Sequence, residues 1–203
     1  MKIALTFDDG PSEWTGPILD LLAENNAKAT FFITGCNIKT PDDADICSKI
    51  VGNGHEVGNH TMTHPDLTTM EYGEIRKELG CANLMIAAAS GVMPDIYRPP
   101  YLRLNNDVHK AAGDLRLRPV GCNIIPGDWQ EPSSQRIAEA VMDEAEDGSI
   151  VLLHDGRPYG QPSHAEGGSL DSRQPTVDAV AMLLPALIDQ SFECVTVSEL
   201  WRQ

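Results

Sequence analysis

Ile150-Val151-Leu152-Leu153-His154-Asp155 is the stretch on which the fold turns. Its first four residues are all apolar, with no polar side chain between them. A strand with one wet face alternates. One that is apolar throughout is buried on both faces, as in a parallel sheet covered by helices. The flanking sequence supplies such helices. Ser133 to Asp147 has amphipathic spacing, with Ser133 as cap and Gly148 as stop. Pro175 to Gln190 reads as a second helix, kinked at Pro185.

The alternation extends to both ends of the chain. Ile3 to Phe7 reads as a short buried strand, and Trp14 to Asn25 as a helix on the spacing of Trp14, Ile18, Leu21 and Leu22. Ala29 to Ile33 is strand-like, Asp42 to Asn53 is a helix stopped by Gly54, and Glu56 to Asn59 is a weak strand. Thr69 to Ala89 is the longest helix, with Thr68 or Thr69 as cap and Glu71 near its first turn. Asp95 to Arg98 is a brief strand, Asn105 to Ala112 a helix, and Arg118 to Ile125 an extended segment. Phe192 to Val197 is the last strand, and Ser198 starts a short helix. Seven such units predict a parallel α/β fold, barrel or open sheet, in one domain over residues 1–203. Only Asp155 to Gln174, rich in Gly, Pro and Ser, breaks the pattern. A loop of that length in a compact domain is usually functional or disordered.

Composition narrows the function. The chain of 203 residues is 41% hydrophobic and 22% charged, and carries a formal net charge of −15. A surface this acidic repels phosphate backbones and anionic lipid, so neither nucleic acid nor membrane is expected as a partner. No apolar run approaches the ~20 residues of a membrane helix. Met1-Lys2 runs straight into Ile3 to Phe7 without a basic-then-apolar leader. The expected location is cytoplasmic, or extracellular after removal of a leader. Cys36, Cys47, Cys81, Cys122 and Cys194 are odd in number and widely spaced. They are expected to be inert, mostly buried thiols.

In parallel α/β folds chemistry gathers at the C-terminal ends of strands. Polar clusters follow the expected strands at Asp8-Asp9-Gly10-Pro11, His60-Thr61-Met62-Thr63-His64, Arg98-Pro99-Pro100-Tyr101, Asp128-Trp129 and His154-Asp155. Each has a bland reading: a helix cap, a surface ion pair, a satisfied core histidine. Together they fall on one face. His60 and His64 are four apart, which on a helical turn puts both rings on one side. Two imidazoles and one carboxylate leave a coordination position open for water. Arg98, stiffened by two prolines, suits a carboxylate such as Asp8 or Asp9. Asp128 is a candidate partner that would orient His154 and raise its pKa.

These five segments, in this order, resemble the motifs of the polysaccharide deacetylases, carbohydrate esterase family four. The resemblance covers residues from about 3 to 200. It implies a distorted (β/α) barrel of about seven parallel strands and metal-dependent removal of acetyl groups from sugars. It implies Asp8 as general base and Asp9, His60 and His64 as ligands of one divalent ion, zinc first, with cobalt or nickel also fitting. Arg98 would hold Asp8, and the Tyr101 backbone N–H would bind the oxyanion. Asp128 would tune His154, the general acid. Trp129 and Leu152 would wall the acetyl methyl pocket. Apart from the resemblance, the loop from Asp155 to Gln174 leaves directly from His154 and is long and Gly-rich, so it is expected to border the substrate groove.

Two positions depart from the pattern. Ile125 stands where the family often has Asp, and Leu102 where a Gly often follows the Tyr. Both bear on the sugar groove and neither on the acid–base pair. The expected partner is an acetylated carbohydrate, N-acetyl or O-acetyl, bound by a monomer. A phosphotransfer domain lacks its strand-end phospho-acceptor here. An inactive sugar-binding protein on the same fold is the alternative.

Overall fold

The computed structural model describes residues 1–158, 160 and 171–202, so Tyr159 and residues 161–170 of the expected long loop lie outside the described residues. The strands are β1 (Lys2–Gly10), β2 (Ala29–Ile33), β3 (Glu56–Asn59), β4 (Ile96–Tyr97), β5 (Arg118–Pro119), β6 (Ser149–His154) and β7 (Glu193–Cys194). The helices are α1 (Thr15–Glu24), α2 (Pro41–Gly52), α3 (Tyr72–Ser90), α4 (Asn106–Asp114), α5 (Ser134–Glu144), α6 (Gln174–Asp189) and α7 (Val197–Leu200). The strands form one parallel sheet, ordered β5-β4-β3-β2-β1-β6, with β7 beside the start of β1.

The expected distorted barrel of about seven parallel strands is the architecture found. Its two edges are drawn together by the segment after β5. Val120 N–H still bonds Tyr97 O of β4, and four residues later Ile124 bridges Val151 of β6.

Side-chain alternation along β1 separates two cores. Ile3, Leu5 and Phe7 join the large outer cluster with Ile18, Leu22, Val180 and Leu184 of α1 and α6. Ala4 faces inward onto Phe32, Ile96 and Val120, with Val197 and Leu200 of α7 in the same cluster. Apolar contact thus fills the end where β1 starts. The next inward positions, Thr6 and Asp8, are polar and buried, so the site must satisfy them.

Several boundaries differ from expectation. α3 starts at Tyr72 with a capping box of Glu71 and Glu74, not at Thr68 or Thr69. Both threonines are bonded to Asp66 instead, which makes 67–69 a separate turn of 3-10 helix. The extended segment Arg118 to Ile125 has only two residues of strand. Arg98 takes the Val120 and Gly121 carbonyls that a ladder would use. The last strand shrinks to Glu193–Cys194 because β2 occupies the edge of β1 from Leu5 onward and Thr196 caps α7. Ser133 caps α5 as expected, and α6 continues through Pro185. Of the five cysteines only Cys47 and Cys194 are buried. Cys81 is exposed, between buried Leu79 and Ala82 on α3. No described helix is long and apolar enough to cross a membrane.

Candidate active site

The strand ends converge on one cavity of about 390 Å³. Of the ten residues singled out from the sequence, Asp8, Asp9, His60, His64, Tyr101, Trp129, Leu152 and His154 line it. Arg98 and Asp128 are buried behind it.

Asp8 and Asp9 are adjacent in a strand, so they should point to opposite faces. A bulge prevents this. Asp8 pairs with Phe32 and Gly10 with Ile33, leaving Asp9 as the extra residue at φ 73°. A bulge of this kind re-aims a side chain, and both carboxylates line the same cavity. Asn37 fixes the bulge by donating to the Asp9 carbonyl at 2.7 Å.

Arg98 is fully buried yet bonded at every nitrogen. Nη1 donates to Asp8 Oδ1 at 2.8 Å and Thr6 Oγ1 at 2.7 Å, while Nη2 and Nε donate to Gly121 O and Val120 O. The guanidinium also lies 4.3 Å from the Phe32 ring centroid. Charge, hydrogen bonds and stacking hold it in one pose and leave Asp8 Oδ2 turned toward His60 Nε2 at 3.8 Å.

His60 and His64 do share one side, their ring centroids 4.9 Å apart. They are not on a helical turn, as expected, but on a loop in which Thr61 and His64 take positive φ. His60 Nδ1 donates to Arg98 O at 2.8 Å, which sets the tautomer whose Nε2 lone pair is the one offered to a metal. His60 Nε2 and His64 Nε2 each lie 3.5 Å from Asp9 Oδ1. That Oδ1 is buried with no hydrogen-bond partner.

The trio fits a divalent cation. Bonds of about 2.0–2.1 Å in a tetrahedron place ligand atoms about 3.4 Å apart. Burial, and then the neighbouring histidines, push His64 down to about 2, so it is neutral across the ordinary pH range. Burial pushes Asp9 up, which a bound cation would reverse.

Across the cavity, Asp128 Oδ1 accepts from His154 Nδ1 at 2.8 Å. Its Oδ2 accepts from His154 N at 2.8 Å and from Thr176 Oγ1 at 2.7 Å. Burial opposes a charged His154, but the charge and hydrogen bond of Asp128, then Asp9 and Asp8, outweigh it and raise its pKa to about 9. Asp128 is correspondingly lowered: burial raises it, and His154 and Thr176 more than compensate. Trp129 stands edge-on to His154, centroids 5.3 Å apart, and Tyr101 edge-on to His64 at 5.0 Å.

A carboxylate held by arginine, a triad of metal-ligand type and an imidazolium held by aspartate thus share one cavity. The family profile described as polysaccharide deacetylase matches residues 1–120. This chain belongs to the polysaccharide deacetylase family. A chitooligosaccharide deacetylase from Rhizobium leguminosarum bv. trifolii is 40% identical over 192 residues, 94% of this chain and 87% of the relative. A family 4 acetyl xylan esterase from Clostridium thermocellum, solved with a cobalt ion, superposes with a TM-score of 0.86 at 32% identity, over 100% of this chain and 91% of the other. The peptidoglycan deacetylase PdaC from Bacillus subtilis gives 0.85 at 31% identity, over 99% and 90%.

Sequence reasoning missed Thr6, Thr176 and Arg173 of this polysaccharide deacetylase, and gave Asp155, quoted in its strand-end cluster, no role. Thr6 and Thr176 complete the bonding of Arg98 and Asp128. Arg173 is buried at the cavity wall, its Nε donating to Gly156 O. Asp155 is buried and, chiefly by burial, raised to about 7; its Oδ2 accepts from Thr15 Oγ1 at 2.5 Å. The available signal for Asp155 was a carboxylate directly after an apolar strand; Arg173, in a polar stretch, gave none. The threonines gave none. Arg157, Pro158 and Arg173, from the two ends of the long loop, do line the cavity.

Proposed function

We propose that this chain hydrolyses acetyl groups from neutral sugar oligomers or polysaccharides, with one divalent cation on Asp9, His60 and His64. Zinc is the first choice, cobalt and nickel the alternatives. The observation that carries the reading is that Asp8, bonded to Arg98, and His154, bonded to Asp128, face one cavity with the Asp9–His60–His64 triad. The cation, when bound, supplies Lewis acidity toward a water and the acetyl carbonyl.

The chain's own groups account for the proton movements. Arg98 occupies Asp8 Oδ1, so Oδ2 is the oxygen that takes the proton of the attacking water. His154 Nδ1 is committed to Asp128, so the proton it gives to the departing nitrogen or oxygen leaves from Nε2. The Tyr101 N–H stabilises the developing oxyanion, an interaction whose loss costs about 10²–10³ in rate in comparable sites. Trp129 and Leu152 enclose the acetyl methyl. The net charge of −15 supports neutral over anionic polymers as substrate.

Acetate release across acetylated chitooligosaccharides, acetylated xylan and peptidoglycan fragments tests the reading. Release from at least one neutral substrate, abolished by chelator and restored by zinc or cobalt, is expected. Absence of release from all of them with metal present removes the reading in favour of a sugar-binding protein.

A further inference from the structure

The loop that carries His60 and His64 is held in a conformation it would not choose alone. Thr61 and His64 sit at φ 68° and 58°, a region that costs free energy for residues with a side chain. Bonds within the segment account for its two ends: Thr61 N donates to Asn59 Oδ1 at 2.7 Å, and His64 N to Thr61 Oγ1 at 3.0 Å. Between them, the N–H groups of Met62 and Thr63 point out of the segment toward α3. Both meet one carboxylate. Glu78 Oε2 accepts from Met62 N at 3.0 Å and Thr63 N at 2.8 Å, and Oε1 accepts from Thr63 Oγ1 at 3.0 Å.

We propose that Glu78 is a positioning residue for the metal centre: its carboxylate fixes the Met62–Thr63 turn and thereby the placement of His64 relative to His60 and Asp9. The proposal rests on the reading of that triad as a metal site. Three hydrogen bonds converge on one carboxylate, and they restrain two of the three backbone N–H groups between the histidines, Thr61 N being held by Asn59. Groups behind metal ligands commonly change affinity ten- to a hundredfold when removed. Glu78 is not needed to dock α3. Asn59 Nδ2 already ties β3 to that helix through Leu79 O at 2.8 Å and Asn83 Oδ1 at 2.6 Å. Ile75 and Leu79 of α3 are also fully buried. Loss of Glu78 should therefore loosen the loop and leave the helix in place.

Cobalt titration of the metal-free protein, followed by visible absorption of the bound ion, tests this without reference to activity. Glu78→Ala removes the acceptor of all three bonds. It should weaken cobalt binding about ten- to a hundredfold and leave the metal-free melting temperature within a few degrees of wild type. The decisive arm is a double-variant cycle. If Glu78 acts through His64, adding Glu78→Ala to His64→Ala should weaken binding no further. Thr63→Ala, at an exposed position, loses only the hydroxyl bond and should cost about two- to fivefold. It serves if the Glu78 variant does not fold. Unchanged affinity in a folded Glu78→Ala or in Thr63→Ala, or an equal further loss in the His64→Ala background, overturns the proposal. A wild-type protein that binds no cobalt overturns the metal reading and the proposal with it.

Discussion

Replacing Asp128 by Asn should produce a loss of activity that depends on pH. In the folded protein burial disfavours the charged form of His154, and the Asp128 carboxylate overcomes it, so the imidazole holds its proton up to about 9. An amide cannot supply that charge. With only the weaker pull of Asp9 and Asp8 left against burial, the pKa of His154 falls to its ordinary value of about 6.5. A general acid works only while protonated, so the variant should lose activity as pH rises through the lower value. At a pH of about 8 the protonated fraction drops from about 0.9 to about 0.03, a loss of about thirtyfold. At a pH of about 6 the same substitution should cost less than about twofold through this route. The assay is kcat/KM for acetate release from an acetylated oligosaccharide between those limits, with metal saturating. The alkaline limb near 9 in the wild type should move down by about two units or more. Equal losses at both ends of the range would refute the argument, because they would show Asp128 shaping the site without holding the proton.

Asp8→Asn should retain the metal and lose about 10²–10⁴ in turnover, whereas Asp9→Asn should lose both; elemental analysis beside kinetics separates them, and equal metal loss would reverse the assignment. His154→Ala should cost about 10²–10⁴ on an acetylated sugar and far less on nitrophenyl acetate, whose leaving group departs unprotonated; proportional losses on both, with a lowered melting temperature, would make His154 a packing residue. Leu102 occupies a cavity wall at φ 56°, so Leu102→Gly should raise the melting temperature by relieving backbone strain and raise KM on oligosaccharides with little change on the small ester. An unaltered KM would exclude Leu102 from sugar contact.

The order of strands and helices was legible because it depends on local patterns. Ile150 to Leu153 is apolar on both faces in sequence; Val151 and Leu153 are buried in the helix-covered outer core, while Leu152 is buried at the cavity and Ile150 is half-buried. Ser133 reads as a cap and is one. Boundaries failed where another group claimed the residues: Asp66, two and three positions back, holds Thr68 and Thr69 in their own turn, and Arg98, more than twenty positions away, holds the carbonyls of residues 120 and 121.

The sequence by itself determined the parallel α/β class and the chemical kinds of the site residues, since strand-end polar clusters and their spacing are local facts. Tertiary structure decided how those residues meet. The bulge at Asp9 turns two neighbouring carboxylates into one cavity, and the strained loop at Thr61–His64 sets two imidazoles 3.5 Å from Asp9. Thr6, Glu78 and Thr176 join the site through hydrogen bonds to residues 92, 15 and 48 positions away. A residue's pattern along the chain reports its own face and period. It carries no record of which distant donor or acceptor the fold will bring within 3 Å.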